Sequence, residues 1–254
     1  MFAEERHQEI VRRAREHGRA DVATLAAELD VTPETVRRDL TALERAGLLR
    51  RVHGGAVAIE RFGVEPAIAA RETVLTAEKA RIGKVALAEL PDDGAAIVVD
   101  AGTTTRQLVE LLPTDIELTV VVNSPPLATV LARYANVTVM MLGGRVRGRT
   151  LAAVGDWGIT ALSTIHVDVA FMATNGISVE RGLTTPDPTE AAVKRAMIAA
   201  ARRTVLLADH TKIGNDYFAR FGDLADVDTY ITDTGADAEL VEEIAEAGPR
   251  VVLA

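Results

Sequence analysis

The 254-residue chain has no cysteine. Disulfides, thiolate metal sites and cysteine nucleophiles are therefore excluded. Its five histidines, His7, His17, His53, His166 and His210, are scattered, and no two stand at zinc-ligand spacing, so no metal is expected. No stretch approaches the ~18 apolar residues that cross a bilayer. The longest, 118–132, is broken by Asn123, Ser124, Pro125 and Pro126. The start of the chain carries Glu4, Glu5 and Arg6 instead of an apolar signal core. A cytoplasmic chain with no membrane partner is the expectation. The Gly-Lys-Ser/Thr loop and the G-x-G-x-x-G loop are both missing, which argues against a nucleotide, and no cofactor is expected. Internal repeats and low-complexity tracts are absent as well.

What is present is a globular composition. Apolar types make up 48% and charged types 26%, enough to build a real core in a chain of this length. That excludes a disordered tail or a small stapled scaffold. Length suggests one large or two modest domains. The net charge of −9 argues against a nucleic-acid partner until it is divided along the chain. Residues 1–56 carry ten residues of each sign, and the rest carries 18 basic and 27 acidic ones. The whole acidic excess therefore lies after residue 56, and the asymmetry says more than the total.

Two regimes of hydrophobic pattern follow. Residues 1–57 read as helices. Ile10, Val11 and Ala14 mark one stripe, stopped by Gly18. Val22, Leu25, Ala26 and Leu29 form a second helical face. Thr32 then suits an N-cap and Pro33 the first helical position. The third helix turns Val36, Leu40 and Leu43 inward and ends before Gly47. Residues 58–78 lack a clear period and read as a linker. From residue 79 to 254, short apolar runs alternate with helical patterns. Runs are expected at 95–99, 118–122, 137–142, 167–172, 204–208, 229–232 and 251–253. Helices are expected at 79–90, 103–112, 126–134, 156–162, 189–202 and 236–247. This alternation predicts an α/β unit with a mostly parallel sheet covered on both faces.

The segment from Val31 to Leu40 reads as the turn and second helix of a helix-turn-helix. Such a helix reaches base edges with short or polar residues near its N-terminus. Thr32, Glu34, Thr35 and Arg38 stand there, and Arg37 and Arg38 supply cations for phosphate or guanine. Two short β-like pieces around His53-Gly54 form a wing, which sets Arg50, Arg51 and His53 beside phosphates. Between Pro33 and His53 there are five arginines and three acids. Helix-surface arginines alone are usually solvated, but here cap, helix and basic wing occur in the right order. Double-stranded DNA is the expected partner of this half.

In the second half, polar clusters follow the apolar runs. They are Asp100 with Gly102, Thr103, Thr104 and Thr105; Asn123-Ser124; Gly143-Gly144-Arg145; Thr174-Asn175-Gly176; and Asp209 with Lys212. In an open parallel sheet these positions share the carboxyl edge, where ligands bind. Gly102 and the three threonines before a helix suit a phosphate, although a plain N-cap explains them too. Arg145, Lys194 and Lys212 would add charge-assisted donors. Thr185, Glu190 and Lys194 form a further group. Glu190 and Lys194 stand i, i+4, so an ordinary helical ion pair competes with a ligand role.

The run Thr35-Val36-Arg37-Arg38-Asp39-Leu40, then Leu43-Glu44, then Arg51-Val52-His53-Gly54-Gly55-Ala56, resembles the signature of the DeoR family of bacterial transcriptional regulators. Thr32 stands where the family usually has Ser, and Val36 where it has Ile. The likeness extends through Lys79-x-x-Ile82-Gly83, Asp100–Thr105, Asn123-Ser124, Leu142-Gly143-Gly144, Gly182-Leu183-Thr184, Lys194–Met197 and Asp209-x-x-Lys212. It implies a winged helix-turn-helix followed by a sensor domain similar to ribose-5-phosphate isomerase and glucosamine-6-phosphate deaminase. It also implies a homodimer or homotetramer that represses a carbohydrate operon. A phosphorylated sugar, such as fructose 1-phosphate or another sugar or polyol phosphate, would release it. The effector would lie at Asp100–Thr105 near Asn123, Lys194 and Lys212, with 182–188 as a mobile neighbouring loop. The alternative is a sugar-phosphate isomerase or deaminase with an accessory N-terminal domain, using Asp100, Glu190 or Asp209 as acid or base. An isomerase has no use for the first 57 residues.

Overall fold

The computed structural model describes residues 3–16, 19–46, 48–52, 54–58 and 67–254. It forms two compact units that divide after Val74.

The first unit opens with α1 (Ala3–Glu16), β1 (Arg19–Asp21), α2 (Val22–Glu28) and α3 (Pro33–Arg45). It continues with β2 (Leu49–Val52), β3 (Gly55–Ala58) and α4 (Ile68–Glu72). Asp21 caps α2 by accepting from the amides of Ala23 at 3.0 Å and Thr24 at 3.3 Å. Thr32 caps α3 in the same way, accepting from the Thr35 amide at 3.2 Å, with Pro33 as the first helical residue. All three expected apolar faces meet in one core that includes Ile10, Ala14, Leu25, Val36, Leu40, Leu43 and Leu49. Burying each of the larger side chains contributes about 1.5–3 kcal/mol. β3 is the centre of a three-stranded antiparallel sheet, with β1 on one side and β2 on the other. The wing is therefore a hairpin of β2 and β3, to which β1 adds a strand that hydrophobic periodicity did not reveal. Gly18, Gly47 and His53 lie outside the described residues.

The second unit begins with α5 (Thr76–Ala86), so its first turn and all of α4 fall within the stretch read as a linker. Then come β4 (Ala96–Val99), α6 (Thr103–Val109), β5 (Leu118–Val122), α7 (Pro125–Leu131) and β6 (Val137–Met141). A hairpin of β7 (Arg145–Val146) and β8 (Ala153–Val154) leads into α8 (Asp156–Leu162) and β9 (Val167–Met172). β10 (Gly176–Ser178), β11 (Gly182–Thr185), α9 (Pro188–Ala199), β12 (Ala201–Leu207) and β13 (Ala219–Gly222) follow. The chain closes with β14 (Thr229–Thr232), α10 (Ala238–Glu246) and β15 (Arg250–Leu253).

All seven expected runs enter one sheet, ordered β15-β14-β12-β9-β4-β5-β6, and every neighbouring pair is parallel. Side chains alternate between its faces. Ile97 and Val99 join one core with Val120, Phe171 and Leu207, while Val98 joins the other with Val121, Met172 and Leu206. Strand order reverses between β4 and β9. Three differences from the sequence reading stand out. Helix α9 stops at Ala199, and 201–203 enter β12, because Ala201 and Arg203 pair with Val167 and Val169 of β9. Tertiary pairing thus overrides the helical bias of Ala-Ala-Arg-Arg. Helix α6 ends at Val109, short of the expected Leu112. Residues 182–185, expected within a loop, form β11, the middle strand of a second small sheet ordered β10-β11-β13.

Candidate functional site

In the first unit, α3 is fixed from behind by Asp39. Arg6 of α1 donates from Nε to Asp39 Oδ2 at 2.6 Å and from Nη2 to Oδ1 at 3.1 Å. His7 Nε2 lies 2.9 Å from Oδ1. Burial would raise the Asp39 carboxyl, but Arg6 and His7 outweigh it and hold the group below the ordinary aspartate range. Signature residue Asp39 therefore faces inward and locks α1 to α3, a role the sequence reading did not assign. Exposed on the opposite side of α3 are Glu34, Arg37 and Arg38, with Thr35 partly exposed. Arg37 Nη1 pairs with Glu34 at 3.2 Å. The hydroxyls of the N-cap Thr32 and of Thr35 lie 2.9 Å apart at the N-terminal tip of α3, the end that enters the groove in helix-turn-helix units. Arg51 is exposed on β2. His53 and the side chain of Arg50 lie outside the described residues.

In the second unit, the polar clusters do gather at the carboxyl ends of the strands. Asp100 follows β4 and is fully buried. Lys194 reaches across from α9, only 1% exposed, and donates to Asp100 Oδ2 and, at 2.9 Å, to the Ala173 carbonyl. The Ala173 amide donates to Asp100 Oδ2 at 3.1 Å. Asn123, at the end of β5, accepts from the Ala101 amide at 2.8 Å and donates to Asp100 at 3.4 Å. β4 and β9 thus bring Asp100 and Ala173 together at the point where strand order reverses, the place where open α/β sheets bind ligands. Burial pushes the Asp100 carboxyl up; Lys194 opposes this, and the charge on Glu190 adds to it.

The other expected residues divide into smaller groups. Glu190 is bonded to Arg147 and, at 3.2 Å, to the Thr150 hydroxyl; Arg147 also pairs with Asp187 at 3.2 Å. Of the two readings of Glu190 and Lys194, the i, i+4 helical pair is not formed: each takes a longer-range partner, Arg147 and Asp100. Arg147, which the sequence reading passed over, ties the loop between β7 and β8 to the start of α9. Thr185 donates to Asn175 Oδ1 at 3.0 Å. Lys212 lies 3.4 Å from Asp209, whose carboxyl is buried. Burial works against ionisation there, but Lys212, the Thr211 hydroxyl and Lys79 of α5 together hold Asp209 below its ordinary range. Lys79 is itself buried, 5% exposed. The Thr105 hydroxyl donates to the carbonyls of Asp100 at 2.7 Å and Gly102 at 3.1 Å, so it serves the turn itself. Thr104 is buried and Thr103 partly exposed. Gly102 is needed for closeness: a Cβ there would stand 2.9 Å from both the Ala173 Cβ and the Thr105 hydroxyl. Gly144, at φ +138°, starts the β7–β8 hairpin, where a Cβ would come within 2.4 Å of the Val154 carbonyl oxygen. Arg145 beside it is exposed, and its side chain has no ion-pair partner among the described residues.

A reading helix on a small winged unit, joined in one chain to a parallel α/β unit with a buried polar cluster at its switch point, defines a helix-turn-helix transcriptional regulator with a sensor domain. Residues 6–62 match the DeoR-like helix-turn-helix domain, and residues 75–234 match the DeoR C terminal sensor domain. The chain is 38% identical to the HTH-type transcriptional regulator GlpR of Haloferax volcanii, over 99% of this chain and 98% of that one. It is 34% identical to the HTH-type transcriptional repressor GlcR of Bacillus subtilis, over 92% and 89%. Among solved structures, ribose 5-phosphate isomerase A from Methanocaldococcus jannaschii matches 53% of each chain at 16% identity and TM-score 0.39. The chain belongs to the DeoR family. The curated relatives carry the names of regulators and not of enzymes, which removes the support for an isomerase or deaminase.

Proposed function

We propose that the chain is a sequence-specific repressor of a carbohydrate-metabolism operon, released from operator DNA by a phosphorylated sugar. The sign is taken from the repressor relative in Bacillus subtilis. The observation that carries the effector half is the Asp100–Asn123–Lys194 cluster at the reversal between β4 and β9. A carboxylate, an amide and an ammonium in one buried group offer the paired donors and acceptors that sugar hydroxyls require. Gly102, Thr103, Thr104 and Thr105 line the turn beside it. Of the three expected cations, Arg145, exposed beside Gly144, has no ion-pair partner among the described residues and is free to meet a phosphate, since Lys194 and Lys212 already face carboxylates. Asn175, Thr185 and Glu190 complete the polar edge. On the DNA side, Thr32, Glu34, Thr35, Arg37 and Arg38 present the tip of α3, and a dimer would address two half-sites.

Calorimetric titration of the full chain separates the parts. Fructose 1-phosphate, other sugar and polyol phosphates, the parent sugars and inorganic phosphate are titrated in parallel. The expected result is binding of one phosphoester with the parent sugar at least tenfold weaker. Arg145→Ala then loses most of the preference for the phosphoester, and Lys194→Ala loses affinity for both. Equal binding of sugar and phosphoester, or none of either, contradicts this reading.

A further inference from the structure

We infer that Arg51 is a positioning residue of the DNA-reading unit: with Thr41 and Glu44 it clamps the wing strand to the recognition helix. The assignment follows from how the exposed surface of α3 is divided. Val36, Asp39, Leu40 and Leu43 face the core. Two polar stripes remain. One holds Glu34, Arg37, Thr41 and Glu44, and the other holds Thr35, Arg38, Ala42 and Arg45. Helical periodicity makes each stripe a continuous strip of surface.

The first stripe is engaged within the unit. Its residue Thr41 donates to the Arg37 carbonyl at 2.8 Å and accepts from Arg51 Nη1 at 3.2 Å. One turn further on, Glu44 Oε1 accepts from the backbone amide of Arg51 at 3.0 Å. Strand β2 is thus held to α3 at both the backbone and the side chain of one residue. The amide bond matters because β2 is an edge strand, paired to β3 on one side only. Without Glu44 that outward amide has no protein acceptor in the sheet. The second stripe is open. The side chains of Arg38 and Arg45 make no ion pair or hydrogen bond with the described residues, and both are exposed.

The division gives the arginines different tasks. Arg38 and Arg45 lie on the stripe free to meet DNA, Arg38 nearer the helix start, where base edges are read. Arg51 acts through Thr41 and Glu44 by fixing the angle at which the β2–β3 hairpin leaves the helix. The inference rests on DNA binding by α3 and not on any effector.

Salt dependence distinguishes a positioning residue from a phosphate contact. A duplex is first selected by the wild-type full chain from a random-sequence pool. Its affinity is then measured from low to moderate salt for wild type, Thr41→Val, Arg51→Ala and the double variant. The clamp predicts that both single variants weaken binding, by roughly three- to tenfold. It predicts that the double variant binds no more weakly than Arg51→Ala. The slope of log affinity against log salt stays at the wild-type value, and the melting temperatures stay within a few degrees. Arg51→Gln, which keeps an N–H donor and loses the charge, recovers part of the affinity. The inference is overturned if Thr41→Val binds as wild type while Arg51→Ala lowers the slope by about 0.9, the release of one phosphate's counterion. It also fails, together with the reading of α3, if the wild-type chain enriches no duplex.

Discussion

Asp39 shows how a single residue can be legible in a signature while its task is hidden. Arg37 and Arg38 beside it point outward, and only the three-dimensional placement of α1 reveals that Asp39 holds Arg6 and His7. Removing the carboxylate leaves Arg6 buried and unpaired, so Asp39→Ala should lower the stability of this unit by on the order of 3 kcal/mol. The pair also has a pH signature. The folded-state value of Asp39 lies below the unfolded one. Its stabilisation is therefore complete above the ordinary aspartate value of about 4 and is lost as pH falls below that. Thermal unfolding should show the gap between wild type and Asp39→Asn narrowing from pH 7 to pH 3, whereas a gap constant with pH would exclude this carboxylate as its source. Lys194 is the corresponding residue in the sensor unit. The sequence placed it on the expected helix but offered Glu190 as its partner. Its true partner, Asp100, is 94 residues away, a pairing that no local spacing can announce.

At the scale of elements, periodicity located what packs broadly and missed what is held by a few bonds. All seven strands of the parallel sheet were visible because each contains a run of apolar residues; the five inner strands bury theirs on both faces, while the edge strands β6 and β15 leave Met140, Met141 and Leu253 exposed. The β7–β8 hairpin and the β10-β11-β13 sheet were not, since β7 and β8 have two residues each and the other three strands are interrupted by Gly176, Ser178, Gly182, Thr184, Arg220 and Gly222, so they carry no apolar run and are fixed by tertiary partners. Glycine spacing held a clue of another kind. Gly83 in α5 faces α6, and a Cβ there would stand 2.6 Å from the Gln107 Cβ and 2.8 Å from its carbonyl carbon. The Lys79-x-x-Ile82-Gly83 motif is therefore a packing motif as much as an electrostatic one: the buried Lys79 places its charge where it acts on Asp209, Ile82 enters the core, and Gly83 lets the helices approach. Gly83→Ala, ordinarily favourable in a helix, should destabilise the sensor unit by about 1–3 kcal/mol. Differential scanning calorimetry of the full chain would register this as a lower transition for that unit, and an unchanged or raised transition would mean that α6 yields freely. The loop between β7 and β8 makes a similar point. Arg147→Ala removes its bonds to Glu190 and Asp187, and should weaken effector binding while leaving DNA affinity unaltered in the effector's absence.

At the scale of the whole molecule, two units of different charge and architecture are joined in one chain, and each carries one half of the activity. Residues 1–56 are neutral by sequence and expose Arg37, Arg38 and Arg45 on α3; the remainder holds the acidic excess, which disfavours non-specific attachment of the sensor to DNA. Regulation requires that the sugar phosphate prefer the weakly binding conformation of the regulator over the tightly binding one. By linkage, operator DNA must then weaken effector binding by the same factor. The most direct test is fluorescence anisotropy of the full chain on DNA from upstream of its own gene, at fixed salt, with and without each sugar phosphate. The account predicts tight binding that one phosphoester reverses, while its parent sugar and inorganic phosphate do not. Binding that no phosphoester alters would contradict it.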